Sequence, residues 1–102
     1  MLIMVDIDDT ICYYEEGIEK GNYALANPNK ERIDKVNKLF DEGHTIVYWT
    51  ARGTMTGINW FKITLDQLEK WGCKYHELRM NKPAYDLFID DKNVESNTYF
   101  SS

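Results

Sequence analysis

Leu2-Ile3-Met4-Val5 runs without a polar residue straight into Asp6-Ile7-Asp8-Asp9-Thr10. A short apolar run without alternation marks a strand buried on both faces, as parallel strands covered by helices are. Two more segments have this form. Thr45 to Trp49 leads into Thr50-Ala51-Arg52-Gly53, and Asp86-Leu87-Phe88-Ile89 leads into Asp90-Asp91. Helical spacing separates them. Ile33, Val36, Leu39 and Phe40 predict a first helix, with Asn27 as cap, Pro28 at its first position and Gly43 at its end. Ile58, Phe61, Leu65 and Leu68 predict a second, capped by Thr54 or Thr56 and closed by Gly72. Tyr75 to Leu78 has the length of an edge strand. This order predicts an α/β chain: a small Rossmann-like three-layer fold with a mainly parallel sheet, one domain over residues 1–102. Ile11 to Asn27, aromatic and polar with two glycines, reads as a short flap.

At 102 residues and 43% hydrophobic, the chain supports one core without staples. Its net charge of -5 argues against a partner bound by broad phosphate neutralisation, so nucleic acid is a disfavoured but open partner. Cys12 and Cys73 lack metal-ligand spacing, which fits a reduced compartment. The first residues turn acidic too soon for a signal peptide, and no apolar run has membrane-spanning length. A cytoplasmic protein is expected, with a polar tail from Asn97 to Ser102 that frays. His44 and His76 read as structural, and Cys12 as a small packing residue.

Ligands of parallel α/β sheets sit beyond the carboxyl ends of the strands. The chemistry-bearing residues of this chain fall at those ends. Asp6 and Asp8 are two apart and point to the same side of a strand tip. If the last strand lies beside the first, Asp90 and Asp91 join them. Two carboxylates ~4 Å apart repel by roughly 4 kcal/mol at a surface-like dielectric. A raised pKa or a hard cation relieves that repulsion, and magnesium suits carboxylates combined with a substrate phosphate. Taken singly, each acidic group is no more than a turn or a solvated strand end.

Thr50 offers a hydroxyl, and the backbone N–H groups at Ala51 and Arg52 face where a phosphate would sit. The Arg52 guanidinium can pair with phosphate. Gly53 permits the turn. Lys82, fixed by Pro83, can reach back over the acids and offset a phosphate.

The ordered set Asp6-Ile7-Asp8-Asp9-Thr10, Thr50, Lys82-Pro83 and Asp90-Asp91 resembles the four motifs of the haloacid-dehalogenase-like phosphatases. Trp49-Thr50-Ala51-Arg52-Gly53, Trp71-Gly72 and Lys82 through Lys92 resemble more narrowly the minimal members called capsule-biosynthesis phosphatases. The resemblance implies a magnesium-dependent phosphomonoester hydrolase. Asp6 would be the nucleophile that forms an aspartyl-phosphate, and Asp8 the general acid and base. Thr10 would support the turn, and Thr50 and Lys82 would hold the phosphoryl group. Mg2+ would sit on Asp6, Asp8 and the pair Asp90 and Asp91, with Asp91 favoured as direct ligand. Many relatives carry a large cap; only the flap at 11–27 is present here. The site is therefore open, for a large substrate or for a second subunit of a homo-oligomer that covers it. The expected partner is a small phosphorylated molecule such as a sugar phosphate.

Three other readings compete. One is a polynucleotide or nucleotide phosphatase. Another is a receiver-like phosphoacceptor, disfavoured because Lys82 precedes Asp90-Asp91 and because Asp8 has no role there. The third is a non-catalytic module, disfavoured by the intact residue set.

Overall fold

The computed structural model describes residues 1–101. The chain runs β1 (Leu2–Val5), β2 (Cys12–Tyr13), a 3-10 turn (Tyr23–Leu25), β3 (Asn27–Pro28), α1 (Lys30–Asp41), β4 (Thr45–Trp49), α2 (Phe61–Lys70), β5 (Glu77–Arg79) and α3 (Ser96–Phe100). It is a small Rossmann-like α/β fold. β1, β4 and β5 form a parallel sheet in that spatial order, with Val5 level with Tyr48 and Tyr48 level with Leu78. Parallel neighbours need crossovers, and α1 and α2 supply them.

Ile33 and Val36 of α1, Leu68 of α2 and Phe100 of α3 join Val5, Ile46 and Tyr48 in one buried cluster. Full burial of each such aliphatic side chain contributes roughly 1.5–3 kcal/mol. The helices therefore gather on one face of the sheet. On the other face Val47 is buried, while Leu2 is 65% and Met4 41% exposed. Among the described residues no helix is long and apolar enough to cross a membrane.

Several sequence expectations need correction. Asn27 and Pro28 do not start α1. They pair with Tyr13 and Cys12 to close the base of the flap, and the Asn29 N–H donates to the Ile11 carbonyl at 2.8 Å. Asn29 caps the helix instead, its side chain accepting from the Arg32 N–H. Pro28 lacks a donor and is tolerated in so short an edge pairing.

α2 begins at Phe61, later than Thr54 or Thr56 would place it, because residues 53–60 form a tight loop. At Gly53, φ is +80°, and an added Cβ would stand 2.1 Å from the Ile58 carbonyl oxygen. Ile58 and Phe61 stay exposed, and Thr64 and Leu68 form the buried face. Gly53→Ala is expected to cost about 2 kcal/mol or more from the clash and the left-handed backbone. Urea denaturation checks this, and an unchanged midpoint would contradict the close approach.

The tail does not fray through Ser101. Glu95 accepts from the Asn97 and Thr98 N–H groups, and Phe100 is buried beneath Arg32, whose guanidinium lies 4.8 Å from the ring. Ser102 lies outside the described residues.

The largest difference concerns Asp86 to Asp90. No strand forms there, and residues 81–95 have no regular structure. Leu87 is 75% and Ile89 88% exposed. A strand exists only through a neighbour, and among the described residues none pairs with that segment.

Candidate active site

The tip of β1 is tied into a tight turn. The Thr10 and Ile11 N–H groups both donate to the Ile7 carbonyl, and Asp9 takes a left-handed backbone at φ +60°. Short polar side chains tolerate that conformation. The turn presents Asp6 and Asp8, both half-buried, at the carboxyl end of the sheet. Arg32 donates to the Thr10 carbonyl and anchors the turn to α1.

Thr50 follows β4 directly and is buried, its hydroxyl accepting from the Arg52 N–H at 3.1 Å. The backbone of Thr50 bridges two segments, its N–H donating to the Arg79 carbonyl and its carbonyl accepting from the Lys82 N–H. Thr54 Oγ1 donates to the Lys82 carbonyl at 2.8 Å. Lys82 is thus fixed from both sides. Its Nζ stands 3.6 Å from Asp6 Oδ1 and 5.4 Å from the Tyr85 ring centroid.

Burial pushes the Asp6 carboxyl above the ordinary carboxylate value, and the Lys82 charge opposes that shift. Burial thus works against the charge of Asp6, and the Lys82 ammonium stands beside it to offset that cost.

The Arg52 side chain is fully buried and is aimed at Asp8. Its Nη2 donates to Asp8 Oδ1 at 2.8 Å and its Nε to Oδ2 at 3.1 Å. Nη1 donates to Thr64 Oγ1 at 3.0 Å and Gln67 Oε1 at 2.6 Å. The Tyr23 ring lies 4.9 Å from the guanidinium. Burial pulls the Arg52 pKa down, but the hydrogen bonds and charge of Asp8 outweigh it, so the group stays a cation. The contact of Arg52 with a bound phosphate, expected from sequence, is not what the structure builds. Every guanidinium nitrogen is already committed inside the fold, and Arg52 acts on Asp8 instead.

The flap completes this clamp. Tyr14 donates to Asp8 Oδ1 at 2.6 Å, and Gln67 Nε2 donates to the Tyr23 carbonyl at 2.8 Å. The neighbouring Asp8 carboxylate and burial both push the Tyr14 hydroxyl upward, burial more strongly, so it remains a donor. Cys12, buried near Asp8, is pushed up to about 12 and stays an inert thiol. Arg52, the 53–60 loop and Met80–Asn81 line a half-open pocket of about 280 Å3 whose walls include Trp60, Asn59 and Asn81, and none of Asp6, Asp8, Thr50 and Lys82 lines it.

The sequence-predicted residues thus divide. Asp6, Asp8, Thr50 and Lys82 meet at the carboxyl end of the sheet, with Thr10 and Ala51 in the adjoining turns. Asp90 and Asp91 are exposed on the unpaired segment. Among the described residues no three acidic, histidine or cysteine side chains are grouped to hold a metal. The four-carboxylate set expected for magnesium is therefore not assembled within one chain. Tyr14 and Tyr23, which the sequence offers with Tyr13 as possible substrate contacts on the flap, instead meet Asp8 and Arg52, and Thr64 and Gln67 are not singled out by sequence at all. The available signal was Thr64 and Gln67 beside Leu68 on α2, polar side chains on a helix face that must be buried.

No family model matches the sequence, and no curated protein matches it either. Among solved structures, the chain is similar to a structural-genomics target from Vibrio cholerae, with a TM-score of 0.83 and 24% sequence identity. The match covers 99% of this chain and 88% of that one. At this identity the likeness establishes the fold and carries nothing about activity.

Proposed function

We propose that the chain is a phosphomonoester hydrolase working through an aspartyl-phosphate on Asp6, with a small phosphorylated molecule as substrate. The observation that carries this reading is the Lys82 ammonium, 3.6 Å from a half-buried Asp6, beside an Asp8 clamped by Arg52 and Tyr14. Asp6 attacks phosphorus, the bond from phosphorus to the ester oxygen breaks, and that oxygen takes its proton from Asp8. Asp8 then removes a proton from water, which attacks phosphorus, and the bond to Asp6 breaks to release orthophosphate. Lys82 offsets charge on the transferring group, where phosphoryl transfer needs it most. Magnesium belongs to this reading only through carboxylates that one chain does not bring together, and no step is assigned to it.

A phosphate-release screen over sugar phosphates, nucleotides and phosphorylated DNA ends tests the proposal. Release from none of them would overturn it, and preference for the DNA ends would replace the substrate class.

The Lys82→Ala variant makes a sharper test. Asp6 must be ionised to attack, so activity falls as pH drops through its raised pKa. Removing Lys82 removes the charge that opposes the shift. The acid limb of kcat/KM is then expected at higher pH than in the wild type, and kcat lower by roughly 10²–10³-fold. An acid limb that stays in place would contradict the pairing.

A further inference from the structure

The sheet has an open side at β1, and the chain has a segment shaped to close it. Among the described residues β1 is an edge strand with no strand on its outer side, and its Leu2 and Met4 are exposed. Unprotected edges of this kind are templates for strand addition. The 85–91 segment has the composition of a missing strand, with Leu87, Phe88 and Ile89 exposed between two acidic ends. Laying Leu87–Ile89 parallel to Ile3–Val5 matches apolar to apolar. Phe88 then covers Met4, and Asp90 stands level with Asp6.

The chain's own segment does not reach that position. The Lys82 N–H is bonded to the Thr50 carbonyl, and Thr50 is level with Ile7, two places beyond the Val5–Tyr48 pair. In the matched register Asp86 lies level with Leu2. That is about 16 Å down the sheet, and about 10 Å across it from β4 to the far side of β1. The required path is about 19 Å. Four residue steps from Lys82 to Asp86 extend to about 14 Å at most. A hinge too short for its own strand to return favours exchange between copies.

We propose that two copies of this chain exchange residues 85–91, each arm adding a parallel strand to β1 of the other. The exchange is isologous and closed, so it gives a dimer. Stable interfaces bury roughly 1,200–2,000 Å2 in total, and two strands carrying Tyr85, Leu87, Phe88 and Ile89 supply apolar area on that scale. The exchange also brings Asp90 and Asp91 of the partner subunit beside Asp6, completing an acidic set that one chain lacks. Only this last consequence rests on the proposed phosphatase reading.

Light-scattering mass measurement on the wild type is expected to give twice the 12.0 kDa chain mass. The Leu87→Asp/Ile89→Asp variant, altered at exposed positions of one chain, is expected to give a folded monomer. Inserting about six glycine and serine residues between Ala84 and Tyr85 adds ~20 Å of reach, so the arm returns to its own β1 as a monomer. In the Met4→Cys/Phe88→Cys variant, oxidation is expected to produce a reducible dimer band that wild type lacks. A monomeric wild type, a dimer undisturbed by the aspartates or by the insertion, or a cross-link within one chain would overturn the exchange. A confirmed exchanged dimer that releases no phosphate would overturn the enzymatic reading and leave the exchange standing.

Discussion

Asp6→Asn will leave a folded protein that releases no phosphate. The amide keeps the shape of the side chain but cannot attack phosphorus, and loss of a nucleophile costs about 10⁴-fold or more. Stability is expected to hold or rise. Burial raises the Asp6 pKa, so the native chain binds that proton more tightly than the unfolded chain. Such a group favours the fold below its unfolded pKa, and that contribution is lost as pH rises through the folded value. At neutral pH the ionised Asp6 is thus a cost, and asparagine removes it. Urea denaturation alongside the phosphate assay checks both halves. A large fall in stability would show Asp6 to be structural, and retained turnover would remove it as nucleophile.

Arg52→Ala will unsettle the fold and the chemistry together. Its side chain is wholly buried and donates to Asp8, Thr64 and Gln67 at once. Removing one member of a buried pair leaves unsatisfied acceptors and a void, at a cost of about 3–5 kcal/mol. Arg52→Lys is not expected to rescue it, because one ammonium cannot meet Asp8 through two nitrogens and still reach α2. The denaturation midpoint and the pH profile of kcat are the readouts. A variant with wild-type stability would contradict the clamp. A lysine variant with a wild-type pH profile would show that charge alone, without orientation, is what Asp8 needs.

Much of the architecture was readable from local pattern. The apolar run at β4 and the spacing in α1 report burial directly, whereas the run at β1, expected to be buried on both faces, leaves Leu2 and Met4 exposed because helices cover only one side of the sheet. The helix starts were misread where a neighbour redirected a good local signal. Pro28 suits a first helical position, yet its segment is held by Cys12 and Tyr13. Thr54 suits a cap, yet its hydroxyl goes to the Lys82 carbonyl. Asp86–Asp90 has a strand's sequence without a strand's partner, and periodicity cannot supply the second half of a ladder.

At the site, residues on strand tips were legible because topology alone collects them. Arg52 was misassigned because a loop arginine beside a glycine looks the same whether it turns outward to a ligand or inward to a carboxylate 44 residues away. Only the fold chooses between them, through the acceptors that α2 offers.

The aspartyl-phosphate on Asp6 is read out by the mass of the Asp8→Asn protein quenched during reaction with p-nitrophenyl phosphate. That leaving group departs with little protonation, so the first half proceeds while the second lacks its base. A protein one phosphoryl group heavier, with the addition on Asp6, is the predicted result. Phosphate released with Asp6 unmodified, or a phosphoryl group carried on any other residue, would contradict it.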